Sequence, residues 1–215
     1  MARLRQDFTK EDPWRIFRIM SEFVDAFEAM ADVRDGVAIF GSARVKPSSK
    51  YYELAVKTGK LLAKEGCSVI TGAGPGIMEA ANKGAFEARG ESVGLNILIP
   101  QEQRPNKYVT RLLEFRYFFC RKVVFARYSK AFVIFPGGFG TLDELFESLC
   151  LVQTARIESF PIMLFGSHYW QGLFCWLQES VLKNKHIMAE DLALIKFVDT
   201  PEEVLEHIKR SAKGA

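Results

Sequence analysis

Ala131-Phe132-Val133-Ile134-Phe135-Pro136-Gly137-Gly138-Phe139-Gly140-Thr141-Leu142-Asp143-Glu144 is a strand, a glycine-rich turn and a helix start in one unbroken segment. Residues 131–135 form the short apolar, β-rich run of a buried parallel strand, and Leu142, Leu145, Phe146 and Leu149 then repeat at helical spacing. Between the two, Gly137, Gly138 and Gly140 let the main chain come close to a ligand. Free N–H groups at a helix start point at an anion, and the helix dipole adds roughly 0.3–1 kcal/mol. The segment therefore has two readings. In one, Gly137, Gly138, Phe139, Gly140 and Thr141 cradle a phosphate. In the other, Thr141 caps a structural turn and Glu144, three residues on, only reaches back to an N–H as in a capping box.

Outward from this segment the same pattern repeats. A run at 37–40 ends at Gly41-Ser42-Ala43, and another at 68–71 ends at Gly72-Ala73-Gly74-Pro75-Gly76. Further strands are expected at 92–97, around 112–115, at 161–165 and near 194–198, and helices at 49–64, 77–89, 117–128, 142–153, 169–182 and 201–211. Strands alternating with helices imply an α/β fold, a doubly wound parallel sheet covered on both faces. Ligands in such sheets bind beyond the carboxyl ends of the strands, so the turns after Phe40, Thr71 and Phe135 can share one cleft. An apolar stripe from Trp14 to Met30 predicts a helix over about 11–33, ahead of the first strand. It must pack on the outside of the domain or on another subunit. The chain thus divides into a helical extension, 1–35, and a ligand-binding domain, 36–215.

The 215 residues, 48% hydrophobic, suffice for one domain with a large core. A net charge of +3 permits a phosphorylated ligand and falls short of a nucleic-acid-binding balance. Cys67, Cys120, Cys150 and Cys175 contain no C-x-x-C pair and read as reduced, buried thiols. His168, His186 and His207 lack zinc-site spacing, so no metal is implied. The N-terminus has no signal-peptide apolar core and no segment approaches the ~20 apolar residues of a membrane span, which points to a cytoplasmic protein.

Gly72-x-Gly74-x-Gly76 misses the dinucleotide spacing G-x-G-x-x-G, whose third position is held by Ile77, and no P-loop sequence is present. What remains is a glycine turn opening a helix with Met78, Glu79 and Asn82. Either this serves tight strand-to-helix packing, or Glu79 and Asn82 reach sugar hydroxyls. Cations are dense between Arg104 and Lys130, interleaved with aromatics, but helical phasing turns Phe118, Val124 and Phe125 inward and leaves several cations on a solvated face. Arg121 is the exception, on the helix that precedes the strand delivering the glycine turn.

Pro136 to Glu144 resembles the P-G-G-x-G-T-x-x-E motif of the Lonely Guy (LOG) family, nucleoside 5′-monophosphate phosphoribohydrolases that release cytokinin bases. Arg121-Lys122 matches that family's R-K, and Gly72-Ala73-Gly74-Pro75-Gly76-Ile77-Met78 is similar to its first glycine-rich segment. The resemblance implies a Rossmann-like fold, with Arg121 and Glu144 catalytic. It assigns phosphate and ribose binding to Gly41, Ser42, Gly74, Gly76, Met78, Glu79, Asn82, Lys122 and residues 137–141. Plant-type members read Met-His-x-Arg-Lys where this chain has Phe118-Phe119-Cys120-Arg121-Lys122, and they lack so long an N-terminal helix. The chain looks like the longer bacterial branch, many of whose sequences carry the label lysine decarboxylase. That label implies pyridoxal phosphate, yet no Ser-x-His-Lys segment offers a Schiff-base lysine, so no cofactor is expected.

The resemblance further implies hydrolysis of the N-glycosidic bond of AMP or an N6-modified AMP. It also implies a homodimer or higher homo-oligomer, with no nucleic-acid or membrane partner. The alternative is a non-catalytic nucleotide-binding or sensing protein with similar glycine turns.

Overall fold

The computed structural model describes residues 14–98 and 104–211. Seven parallel strands, β1 (Gly36–Phe40), β2 (Val69–Thr71), β3 (Ser92–Ile97), β4 (Arg111–Phe115), β5 (Ser129–Ile134), β6 (Ile162–Phe165) and β7 (Ile195–Val198), lie in the order β4-β3-β2-β1-β5-β6-β7. The chain runs outward from β1 to β4, then returns to the other side of β1 with β5. The order therefore reverses between β1 and β5, and a crevice opens there at the strands' carboxyl ends. Residues 37–40 of β1 pair in register with 131–134 of β5.

Alternate strand residues feed two cores, one on each face. Ala38, Phe40, Phe132 and Ile134 join one buried cluster with Phe125 and Trp170. Val37, Ile39, Val133 and Phe135 join the other with Tyr52, Leu62 and Ile208. The first core is covered by α1 (Arg15–Ala29), α4 (Phe118–Tyr128), α5 (Phe139–Gln153) and α6 (Ser167–Trp176). The second is covered by α2 (Lys50–Lys64), α3 (Ile77–Glu87) and α8 (Pro201–Ser211). This is the doubly wound α/β fold the alternating pattern predicts.

Differences from the sequence expectation lie at element ends. α5 begins at Phe139, not at Leu142, and its N-cap is Gly138. Thr141 therefore sits inside the first turn and no side chain caps the helix, which removes the capping-box reading of Thr141 and Glu144. α6 runs on through a π-turn, Leu177–Leu182, and a short α7 (Ala189–Leu192) precedes β7. Cys67 and Cys120 are buried thiols, but Cys150 and Cys175 are exposed, on the outer faces of α5 and α6. The expected helix over 11–33 is α1 where it can be described; its first residues lie outside the described segments. α1 packs through Ile19, Phe23 and Phe27 on the domain core, while Trp14, Phe17, Met20 and Val24 face outward.

Candidate active site

The crevice between β1 and β5 is a cavity of about 690 Å³, within the range of small-molecule sites. Three loops build it. The turn after β1 is bonded to the turn after β5 by the Ser42 N–H on the Pro136 carbonyl (3.0 Å), and to the start of α3 by the Ile77 N–H on the Ser42 carbonyl (3.1 Å). Tyr169 of α6 donates to the Gly137 carbonyl at 2.8 Å and holds the β5 turn from behind.

Gly137 and Gly140 serve different ends. A methyl on Gly137 would lie 2.1 Å from Thr141 Oγ1 and 3.0 Å from the Ser42 N–H nitrogen, whereas one on Gly138 or Gly140 would meet nothing within 4 Å. The first glycine is a packing requirement, and the other two leave open space over the helix start. The Thr141 and Leu142 N–H groups both turn back to the Gly138 carbonyl, while no protein acceptor among the described residues engages those of Phe139 and Gly140. α5 thus presents an uncapped N-terminus to the cavity, an arrangement suited to an anion. Gly137→Ala is expected to destabilise the fold by about 1–3 kcal/mol through overpacking. Gly140→Ala should melt at or above the wild-type temperature, since alanine suits a helix better, and yet bind AMP several-fold more weakly. Thermal melts paired with AMP titrations check both; equal AMP affinity in Gly140→Ala would remove the close-approach role.

Glu144 and Arg121 meet at the cavity floor. Arg121 Nη2 is 3.8 Å from Glu144 Oε1, with both side chains largely buried. This distance is an ion pair without a hydrogen bond, so each group keeps unspent capacity. The Arg121 guanidinium lies over the rings of Phe118 (5.2 Å) and Phe125 (5.8 Å), and its Nε is buried without a partner. Burial pulls the Arg121 pKa down, opposed by Glu144 and Asp143. Burial pushes Glu144 up to about 7, only partly offset by the charges of Arg121 and Lys122. A carboxylate poised near neutrality beside a donor-rich cation in a cleft is a combination found at active sites.

The structure brings together Gly41, Ser42, Met78, Arg121, Gly138, Phe139, Gly140, Thr141 and Glu144 on the cavity wall, with Gly137 directly behind. Gly76 holds the second glycine turn against the first: with φ of 70°, its Cα stands where a methyl would be 2.3 Å from the Ser42 carbonyl. Gly74 does not line the cavity; its carbonyl accepts from Asn106 at 3.2 Å. Asn82 is fully buried, accepting from Thr71 Oγ1 (2.6 Å) and Asn106 (3.0 Å) and donating to Ser92 Oγ (2.8 Å). Its amide braces the second glycine turn from inside and is not presented to the cavity. Glu79 faces a separate groove beyond α2, where it accepts from Tyr52 at 3.3 Å. Lys122 points away from the cavity to Asp143 (2.8 Å) and Glu147 (2.5 Å) on α5. It ties the two helices of the site together. Arg44, at the cavity mouth, and the apolar wall formed by Phe40, Ile97 and Phe125 are marked by no motif. Arg44 follows the β1 turn directly, which is the one signal that could have drawn notice to it.

Fold and cavity define an α/β protein with a glycine turn that opens an uncapped helix N-terminus onto the cavity, and a buried Arg–Glu pair at the switch point. The model of a family described as "possible lysine decarboxylase", the LOG family, matches residues 78–208, and the chain belongs to that family. A probable cytokinin riboside 5′-monophosphate phosphoribohydrolase of Oryza sativa subsp. japonica is 28% identical over 199 residues, 89% of this chain and 78% of the relative. A pyrimidine/purine nucleotide 5′-monophosphate nucleosidase of Escherichia coli strain K12 is 28% identical over 172 residues, 74% of this chain but 37% of its own length. Among solved structures, the molybdenum cofactor binding protein of Rippkaea orientalis superposes with a TM-score of 0.61 at 23% identity, covering 84% of this chain and 97% of that one. That likeness concerns the fold.

The residues do not fit the pyridoxal phosphate that the family description implies. Among the described residues, no lysine lines the cavity. Burial pulls the Lys122 pKa down, but the hydrogen bonds it donates to Asp143 and Glu147 outweigh that and hold the ammonium more firmly protonated than usual. A Schiff-base lysine needs the opposite.

Proposed function

We propose that this protein hydrolyses the N-glycosidic bond of a nucleoside 5′-monophosphate, AMP or an N6-modified AMP, to the free base and ribose 5-phosphate. The observation that carries the reading is the Arg121–Glu144 pair, buried, 3.8 Å apart and short of hydrogen bonds, beside an uncapped helix N-terminus. The 5′-phosphate sits on the N–H groups that open α5, a remote group whose binding energy orients the sugar. Glycosidic cleavage builds positive charge on the ribose as an oxocarbenium-like state. Glu144, ionised, stabilises that charge or activates the attacking water, and Arg121 holds the phosphate or assists the departing base. Phe40, Ile97, Phe118 and Phe125 offer the base an apolar wall. The names of the relatives from Oryza sativa and Escherichia coli, nucleotide-cleaving enzymes, agree with this chemistry.

The outward apolar face of α1, with Trp14 and Phe17 stacked 5.7 Å apart, supports a homodimer or larger homo-oligomer. Free thiols suit the reducing cytoplasm, and no helix among the described residues is long and apolar enough to cross a membrane. The test is to size the purified protein by light scattering, where a multiple of 24.4 kDa is expected, and to incubate it with AMP, other nucleoside monophosphates and isopentenyl-AMP. Free base on chromatography is the expected result. Saturable binding with no base released from any of them would leave a nucleotide-binding protein and sink the enzyme.

A further inference from the structure

α4 carries Arg121, and its own sequence supplies nothing to hold its N-terminus. Tyr117 occupies the N-cap position in an extended conformation with no side-chain hydrogen bond, and the first turn contains no acidic residue. A helix start leaves N–H groups in need of partners. Here the acceptor arrives from α1: Glu22 takes the N–H of Arg116 at 2.9 Å and that of Tyr117 at 3.4 Å.

The geometry reproduces half of a capping box across tertiary space. In that motif the residue at N3 is a glutamate whose side chain reaches back to the N-cap N–H. N3 of α4 is Cys120, buried, with its thiol pushed up to about 11 by burial and by the neighbouring Glu22. Glu22 delivers the missing carboxylate to that same N–H from 95 positions earlier in the chain. The turn it steadies is the one closed by the Arg121 N–H on the Tyr117 carbonyl at 3.3 Å. α1 is itself fixed at its C-terminal end, where Arg111 of β4 bonds the Ala29 carbonyl and pairs with Asp32 and with Glu91.

We propose that Glu22 is a positioning residue for Arg121: the N-terminal helix sets the first turn of α4, and through it the place of the guanidinium opposite Glu144. This rests on the reading of Arg121 and Glu144 as the reacting pair. It gives the extension a task in the reaction besides covering apolar surface. Arg121 and, at longer range, Lys122 act on Glu144 by charge from α4, and Asp143 and Glu147 do so from its own helix. A shift of α4 therefore changes the cationic side of that balance and leaves the anionic side in place.

The test compares wild type, Glu22→Ala and Glu22→Gln. In the free protein, amide exchange at residues 116–121 is followed alongside the carboxyl titration of Glu144 by carbon-13 NMR; in turnover, kcat/KM for AMP is measured against pH. Glu22→Ala is expected to speed exchange of the 116 and 117 amides at least about tenfold and to raise the Glu144 midpoint by about one unit as Arg121 withdraws. Its kcat/KM should fall on the order of 10–100-fold. Glu22→Gln keeps one acceptor oxygen and should lie between the two. If Glu22→Ala fails to fold, Glu22→Gln is judged by the same titration. A lowered melting temperature with a wild-type Glu144 midpoint and wild-type kcat/KM would make Glu22 merely structural and overturn the proposal. Absence of AMP turnover in the wild type would instead defeat the enzyme reading, while exchange and titration still decide the role of Glu22.

Discussion

Glu144→Gln is expected to fold normally and to lose at least about 1,000-fold in kcat toward AMP, with KM little changed. Glutamine fills the same volume and keeps one acceptor, so packing around Arg121 survives. What disappears is the negative charge opposite the developing oxocarbenium, an interaction made chiefly in the transition state. Because burial holds Glu144 near 7 and the ionised form is the active one, wild-type kcat/KM should rise with pH through about 7 and then level. The same shift has a stability consequence of definite sign. The folded pKa, about 7, lies above the ordinary glutamate value of 4.5, so between those values the unfolded chain releases a proton that the folded protein retains. The Glu144 contribution to stability therefore falls as pH rises through that window, by on the order of 3 kcal/mol, and is flat above it. Glu144→Gln should lack this decline and melt higher than wild type at pH 8. A variant with full turnover and an unchanged pH–stability curve would sink the catalytic assignment.

Why the carboxylate was ambiguous from sequence, and is less so in the structure, comes down to where α5 begins. Gly138, Phe139, Gly140 and Thr141 are poor helix formers, so propensity places the start at Leu142 and makes Thr141 look like a cap. The chain nevertheless turns helical at Phe139, stranding Thr141 inside the first turn and rotating Glu144 into the floor of the cavity. The sheet was far more legible, because β1, β2, β5 and β6 are short, largely apolar runs followed directly or after one residue by a glycine or proline, and two-residue alternation between the two cores follows from strand geometry. Glu79 and Asn82 were harder. Both lie on the helix behind the second glycine turn, and sequence spacing does not say that Asn82 lies one turn deeper, against β2 and β3, or that Glu79 faces α2. Glu22 left no local trace, since its partners are the N–H groups of residues 94 and 95 positions away. Contacts of that kind are fixed by tertiary packing alone.

Arg121→Ala is the second large effect, and its pH dependence separates two jobs that a single rate would confound. Arg121 is the nearest cation to a buried carboxylate, so its removal leaves Glu144 without its main compensating charge and drives the Glu144 pKa above its present value of about 7. At neutral pH the variant should then hold Glu144 protonated, and kcat/KM for AMP should fall about 100–1,000-fold. If keeping Glu144 ionised were the whole task of Arg121, raising the pH to 9 would restore the wild-type rate. The unpartnered Nε and the guanidinium poised over Phe118 argue for direct contact with phosphate or base as well, so a deficit of at least about tenfold should persist on the alkaline plateau. Arg121→Lys sharpens the distinction, because an ammonium restores the charge but neither the planar fork nor the stacking on the aromatic rings. It should return the acid limb toward its wild-type position and leave the plateau low. Thermal melts accompany the profiles: variants that unfold would mark Arg121 as structural, and an alkaline plateau equal to wild type in Arg121→Ala would reduce it to an electrostatic partner of Glu144.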